Sequence, residues 1–276
     1  MAATALLSLL PPPDSSAALE SASIYSSIGL PIPATRPFRT PHHTITTQAL
    51  IGGGNPIRPG EITLAHNGVL FLDELPEFSR LSLESLRQPL QDHYIHIDRV
   101  NQTVSLPADF LFVASMNPCP CGFYPDRNRC HCSDTKLRNY LHRLQSPLFD
   151  RIDLGIFMDV PKFDDLSPTS VDTFETLYAQ VQSAHIIQQY RYKDLPFSYN
   201  SRIPPDLLST FCPLDDDGEA FMRNAYEHYK LSVRGYHRVL KTARTIADLS
   251  GCEHIRSSHL CEAIQLRTID SLQSYT

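Results

Sequence analysis

From its first residue the chain alternates short apolar runs with breaks of proline, glycine and threonine. Ala2–Leu10 carries a helical apolar pattern that Pro11–Pro13 stops, because proline has no amide hydrogen to extend the ladder. Asp14–Ser27 predicts a second helix. Leu30–Gly60, rich in Pro, Thr, His and Gly, predicts loops with room for a hairpin. Gly68–Leu72 is an apolar run between turn residues and predicts a buried strand. Ser79–Asp92 predicts a helix with Leu83, Leu86 and Leu90 on one face. Tyr94–Asp98 and Thr103–Leu106 alternate apolar and polar positions around Arg99–Gln102, the pattern of a β-hairpin. Phe110–Ser115 and Ile152–Val160 predict two further buried strands.

From about Ser167 the pattern becomes helix after helix. Val171, Phe174, Leu177, Tyr178 and Val181 fall on one stripe, Val233–Leu249 is ended by Gly251, and Ser258–Ile269 closes the series. The expected organisation is therefore an α/β core over residues 1–165 and an all-helical domain over 166–276. There is no internal repeat and no low-complexity tract.

Composition narrows the class. A chain of 276 residues, 42% hydrophobic and 20% charged, is that of a globular protein with ample core. The net charge of −6 argues against a strongly basic nucleic-acid module, while leaving room for local basic loops. No apolar run approaches the roughly 20 residues of a membrane span. The opening MAATALLSLLPPP has no basic region ahead of its apolar stretch, so it reads as a helix end and not a signal peptide. No membrane partner and a cytoplasmic location are expected.

Two clusters carry chemistry. The run Val69-Leu70-Phe71-Leu72-Asp73-Glu74 delivers two carboxylates at the C-terminal end of a strand, where open α/β sheets bind ligands. In a nucleotide hydrolase the aspartate of such a pair holds hydrated Mg²⁺, and the glutamate orients or deprotonates the attacking water. The bland alternative is a solvated acidic turn. Cys119, Cys121, Cys130 and Cys132 form C-x-C-x₈-C-x-C, and Gly122, Pro125 and Asp126 let the intervening loop turn back. Four thiolates suit a closed, structural Zn²⁺ site, with His131 as a substitute ligand; free thiols or a disulfide pair are the alternatives. Cys212, Cys252 and Cys261 are scattered and read as core residues.

The stretches RPFRTPHHTITTQALIGGG, PGEITLAHNGVLFLDELPEF, SLRQPLQD, SMNPCPCG, SPLFDRIDL and YHRVLKTARTIADL together resemble the ComM/YifB branch of magnesium-chelatase-like AAA+ ATPases. The resemblance covers almost the whole chain. It implies a P-loop NTPase core followed by a helical lid, with Asp73 and Glu74 as the Walker B pair. It implies sensor 1 for Asn117, an arginine finger for Arg151 and sensor 2 for Arg234, with Arg238 one helical turn later as the rival. The hairpin lies where related DNA motors carry one, so Arg99, Asn101 and Gln102 become candidate phosphate contacts. The pair His42–His43 lies in a second insertion of the family; loop packing is the plainer reading of it, and metal binding the other. ATP and Mg²⁺ are the implied cofactors, a homo-oligomeric hexameric ring and DNA the implied partners, and branch migration in recombination during natural transformation the implied task.

One element of that pattern is missing. A phosphate-binding loop needs G-x-x-x-x-G-K-[ST], yet none of Lys136, Lys162, Lys193, Lys230 and Lys241 follows a glycine, and Gly52-Gly53-Gly54 runs into Asn55. The resemblance thus implies a chain that begins just after this loop, lacks the first strand of the sheet, and hydrolyses no ATP alone. The rival readings are a metal-chelatase-type ATPase subunit and a non-catalytic AAA+ subunit that lends only Arg151 to intact neighbours.

Overall fold

The structure, a computed structural model, describes residues 2–99, 102–124, 126–142, 148, 151–158 and 173–267. The chain divides after Ile152 into two compact units.

The first unit opens with α1 (Ala2–Leu9) and α2 (Ser15–Ser27), whose N-terminus Asp14 caps by accepting the Ala17 amide. A three-stranded parallel sheet follows, ordered β1 (Phe38–Arg39), β4 (Val69–Leu72), β7 (Leu111–Ala114). Strand β4 is paired on both sides, and Val69, Leu70 and Leu72 are wholly buried, as a continuous apolar run requires. Strand β1 lies in the Pro- and Thr-rich stretch where loops were expected. Two residues are too short for a periodic signal, and the pairing rests instead on close approach. The Val69 amide donates to the Pro37 carbonyl at 2.8 Å, and a side chain at Gly68 would collide with Pro37. Beyond β1 come α3 (Thr47–Ile51), the antiparallel pair β2 (Gly52–Gly53) and β3 (Arg58–Pro59), and α4 (Glu61–Leu64).

The expected helix over Ser79–Asp92 is two helices, α5 (Arg80–Ser85) and α6 (Arg87–Asp92), joined at Leu86. Pro89 is the cause: it lacks the amide that would bond back to Ser85. Leu83 and Leu86 are buried and Leu90 only partly so. The hairpin β5 (Tyr94–Arg99) and β6 (Gln102–Pro107) pairs in register from Tyr94↔Pro107 to Arg99↔Gln102. Helix α7 (Asp134–His142) follows β7.

The second unit holds α8 (Phe174–Arg191), α9 (Leu208–Phe211), α10 (Asp216–His228), α11 (Val233–Leu249) and α12 (Ser257–Gln265). Its core gathers Tyr192, Ile203, Met222, Val239, Ala243, Ile255 and Leu260. Inside it Asp248 accepts from Arg191 at 2.6 and 2.8 Å, from Arg244 at 3.0 Å and from the Asn200 amide at 2.8 Å. The stripe expected to bury α8 does not do so: Phe174 and Leu177 are exposed, and Ala184 and Gln188 are the residues buried. The packing partners of α8 are drawn to its C-terminal half, where Arg191 meets Asp248. Val171 lies outside the described residues.

The strand expected over Ile152–Val160 is absent from residues 152–158. Gly155 makes one isolated bridge to Arg267, its amide donating to Leu266 at 2.7 Å, while Leu154, Ile156, Phe157 and Met158 are exposed. A strand persists only where a neighbour completes its ladder, and this run meets no sheet edge among the described residues. Asp159 and Val160 lie outside them. Of the scattered cysteines Cys212 is buried, but Cys261 is exposed and no core residue. Among the described residues no helix is long and apolar enough to cross a membrane.

Candidate active site and cysteine cluster

The parallel register of β4 and β7, which sets Leu72 opposite Ala114, brings Asp73 and Ser115 together at the C-terminal end of the sheet. The Ser115 hydroxyl donates to Asp73 Oδ1, and the Glu74 amide donates to the same oxygen at 3.0 Å. The other carboxylate oxygen, Oδ2, accepts no hydrogen bond from the described residues. Strand-like pairing continues past the sheet: Ser115 N donates to Leu72 O at 3.0 Å and Leu75 N to Ser115 O at 2.9 Å. These bonds fix the turn that carries the carboxylates.

Glu74 itself sits in the left-handed region at φ 52°, ψ 49°, and opens a single 3₁₀ turn over Leu75–Glu77. That backbone is costly for a residue with a Cβ and marks sites held by their surroundings. Leu75 and Pro76 are buried beneath it. The Glu74 side chain stays 55% exposed, with His43 Nδ1 3.5 Å from Oε2.

Asn117 lies three residues beyond β7 at the same end of the sheet and is exposed, and its carbonyl accepts the Tyr140 hydroxyl at 3.2 Å. Asp73, Glu74 and Asn117 are thus gathered at one sheet end. Arg151 is placed elsewhere: its guanidinium donates to Gln91 Oε1 at 2.6 Å. In the second unit the two rival arginines differ. Arg238 is engaged with Asp153 at 3.0 Å, whereas Arg234 is exposed in the first turn of α11, whose N-terminus Ser232 caps. Arg99 and Gln102 are partners across the hairpin end, and Asn101 lies outside the described residues.

Ser115 and Tyr140 were not singled out from sequence. For Ser115 a signal existed: once β4 and β7 are taken as parallel neighbours, the polar residue ending one must meet the acid ending the other. Tyr140 gave none, since only the fold carries α7 back to Asn117.

The four cysteines converge. Their sulfurs all lie within 4.8 Å of one another, with Cys119 3.3 Å from Cys121 and 3.7 Å from Cys130, and Cys121 3.6 Å from Cys130. Four sulfurs at ~2.3 Å from a tetrahedral centre stand about 3.8 Å apart, so the set fits a metal. Cys119, Cys130 and Cys132 are buried against Leu137, Tyr140 and Leu141. Burial alone would raise the Cys119 thiol, but the Tyr124 amide and the Cys121 thiol hydrogen-bond to it and bring it down to about 6. At Cys130 the Cys132 amide acts downward, yet burial and the neighbouring sulfurs push the thiol up to about 11. His131 is exposed and outside the sulfur group.

The family described as "Magnesium chelatase, subunit ChlI" matches residues 1–166, and that described as "Magnesium chelatase, subunit ChlI C-terminal" matches 172–267. The chain is 40% identical over 273 residues to the competence protein ComM of Haemophilus influenzae, covering 98% of this chain and 53% of that protein. It is 39% identical over 278 residues to YifB of Salmonella typhimurium and to YifB of Escherichia coli, both called uncharacterized, covering 99% of this chain and 54% of each. The chain therefore spans about half the length of these relatives.

Proposed function

Because this chain belongs to the magnesium chelatase ChlI family of AAA+ proteins, we propose that it supplies the hydrolytic strand ends and the helical lid of an ATPase motor. The observation that carries this reading is the meeting of Asp73, Glu74, Ser115 and Asn117 at the C-terminal end of one parallel sheet. The Asp73 oxygen left without a donor suits a hydrated Mg²⁺, and Ser115 holds the carboxylate in place for it. When bound, that ion offsets charge on the nucleotide phosphates. Glu74 orients and deprotonates the attacking water, and the Asn117 amide holds that water or the terminal phosphate. Arg151 completes the site of a neighbouring subunit, where its guanidinium offsets charge that develops in the transition state. Arg234, which has no carboxylate partner among the described residues, is the better candidate for the lid arginine, because Arg238 is already paired with Asp153.

The cradle for the phosphates, G-x-x-x-x-G-K-[ST], is not in these 276 residues. We assign it to a segment outside them, so these residues alone hydrolyse no ATP above background. The cysteine set holds one structural Zn²⁺ behind Asn117. The trans role of Arg151 calls for adjoining subunits, which we take to be a hexameric ring by likeness to the family, in the cytoplasm. Remodelling of DNA, through the hairpin carrying Arg99, Asn101 and Gln102, is the task we propose for the motor, and the likeness to a competence protein supports it. A chelatase-type subunit is the second reading, favoured by the family description.

The test is an ATPase assay on a form extended by a segment carrying the phosphate loop. Arg151→Ala should lower turnover far more than nucleotide affinity, and mixing it with Glu74→Ala subunits should restore part of the rate. Steady Asp73-dependent turnover by the 276 residues alone, or no rescue at any mixing ratio, would count against the reading. Turnover stimulated by branched DNA favours the motor, and turnover stimulated by a porphyrin with metal insertion favours the chelatase.

A further inference from the structure

The four clustered sulfurs are alike in chemistry and unlike in access. Cys119, Cys130 and Cys132 are buried, and Cys121 alone of the set is exposed. Its Sγ lies 3.3 Å from that of Cys119 and 3.6 Å from that of Cys130. An oxidant in solution therefore meets Cys121 first, and whatever forms there has a second sulfur beside it. Exposure, thiolate character and a thiol close by mark a cysteine that oxidises reversibly.

The two neighbours are not equivalent. A bridge to Cys119 would have to close over Pro120, whose ring fixes its own backbone. Cys130 comes from the opposite arm of the loop, so its bridge to Cys121 closes no tight ring. A sulfur–sulfur bond is ~2.05 Å long, and the pair stands at 3.6 Å, so it must draw together by about 1.5 Å.

The cluster also holds a neighbour of the acidic strand end. Cys119 follows Asn117 by two residues, and Met116 packs against the buried sulfurs. Tyr140, buried in the same cluster, donates its hydroxyl to the Asn117 carbonyl at 3.2 Å. Leu137 and Leu141 rest the same face of α7 on the sulfurs. Asn117 is thus tied to the cysteines twice, along the chain to Cys119 and across to α7.

We propose that the cysteine set is a peroxide-sensitive clasp, with Cys121 its site of oxidation, a Cys121–Cys130 bridge its oxidised form, and the Asn117 segment what it releases. The proposal rests on the reading of the set as a Zn²⁺ site. The Cys121 thiolate attacks one peroxide oxygen, the O–O bond breaks, and hydroxide leaves and takes a proton from solvent to become water. Cys121 is then a sulfenic acid. The Cys130 thiolate attacks its sulfur, the S–O bond breaks, and the second oxygen leaves as water in the same way. Each sulfur has lost one electron, and the peroxide has been reduced to two waters. Cys119 and Cys132 remain, and two thiolates cannot close a tetrahedral site. The loop then loses its tie and α7 the floor it packs on. A thiol reductant opens the bridge again.

The test uses the 276-residue chain, its zinc content measured first. Hydrogen peroxide should release one Zn²⁺ for every two thiols lost, read with a chromophoric chelator. Mass spectrometry after alkylation should find Cys121 joined to Cys130, with Cys119 and Cys132 alkylated. A sulfenic-acid trap present during the reaction should label Cys121 and divert it from the bridge. Amide hydrogen exchange at Met116, Asn117 and α7 should quicken by about tenfold, while the hairpin β5–β6 stays as before. Dithiothreitol with added Zn²⁺ should reverse both changes. Cys261→Ser removes an exposed thiol outside the set and should release zinc at the parent's rate. Zinc retained while Cys261 oxidises, a bridge that leaves out Cys121, or exchange at Asn117 unmoved by the loss of zinc overturns the proposal alone. A chain that binds no zinc overturns the metal reading and the proposal with it.

Discussion

The two units handle their carboxylates in opposite ways. In the helical unit Asp248 is wholly buried and each oxygen is taken, by Arg191, Arg244 and Asn200. In the α/β unit Asp73 and Glu74 stand exposed at a strand end, with Ser115, a backbone amide and His43 as their polar neighbours among the described residues. A buried charge must be paired to be tolerated, and once paired it has nothing left for a ligand. An exposed charge held by few bonds contributes little to stability and stays available. The comparison teaches which carboxylates hold the fold and which serve chemistry, and it can be broken by measurement.

The largest effect belongs to Asp248. Replacing it by alanine leaves Arg191 and Arg244 facing a buried void and should destabilise the helical unit by about 3–5 kcal/mol. Urea unfolding followed by circular dichroism reads this. A cost under about 1 kcal/mol would mean the network is solvated and the contrast false.

Next comes the metal. Protein purified without chelator or metal-affinity resin should contain one Zn²⁺ per chain by elemental analysis. Cys130→Ser with Cys132→Ser should abolish it, and Cys212→Ser should leave it. At free zinc a hundredfold above its dissociation constant the site stabilises the fold by about 2.7 kcal/mol. Well under half an equivalent, with four titratable thiols in the segment, would show that the sulfurs converge without a metal.

A smaller, pH-dependent effect sits in α12. His259 Nδ1 accepts the Arg256 amide at 3.1 Å as part of the helix cap, and burial, then Arg256 and Arg244, hold its pKa below the ordinary 6.5. Burial, then Lys241, does the same at His237. The unfolded chain therefore takes up these protons first. Stability is full above pH 6.5 and falls as pH drops from there towards the lower folded values. The urea midpoint of the helical unit should be lower at about pH 5.5 than at about pH 7.5, and His259→Gln should flatten part of that slope. An equal midpoint at both pH values would show that neither ring matters.

Much of this was legible in the sequence, for physical reasons that differ by element. Strands β4 and β7 announced themselves because a strand buried on both faces is a continuous apolar run. The hairpin did so through its alternation. Strand β1 and the Ile152–Met158 run were not legible, because each depends on a neighbour: the first exists through the close approach at Gly68, and the second meets no sheet edge among the described residues. The acidic pair was visible as residues at a strand end, and the cysteines as a spacing. The contacts that tune them were not, since Ser115, His43 and Tyr140 reach their partners across the fold.

The smallest effect is the sharpest test of the contrast, because its sign is unusual. Glu74 pays for left-handed backbone at φ 52°, a conformation that costs a side-chain-bearing residue ~1–2 kcal/mol and glycine almost nothing. Glycine also gains freedom in the unfolded chain, which returns roughly 0.5–1 kcal/mol. The contact with His43 is lost as well, but at an exposed pair it is worth only a few tenths. Glu74→Gly should therefore leave the chain as stable as the parent or firmer by about 0.5 kcal/mol, while the extended form loses hydrolysis. A residue whose removal stabilises the fold and ends activity is held there for function. Destabilisation by more than about 1 kcal/mol would place Glu74 with Asp248 among the carboxylates that hold the structure.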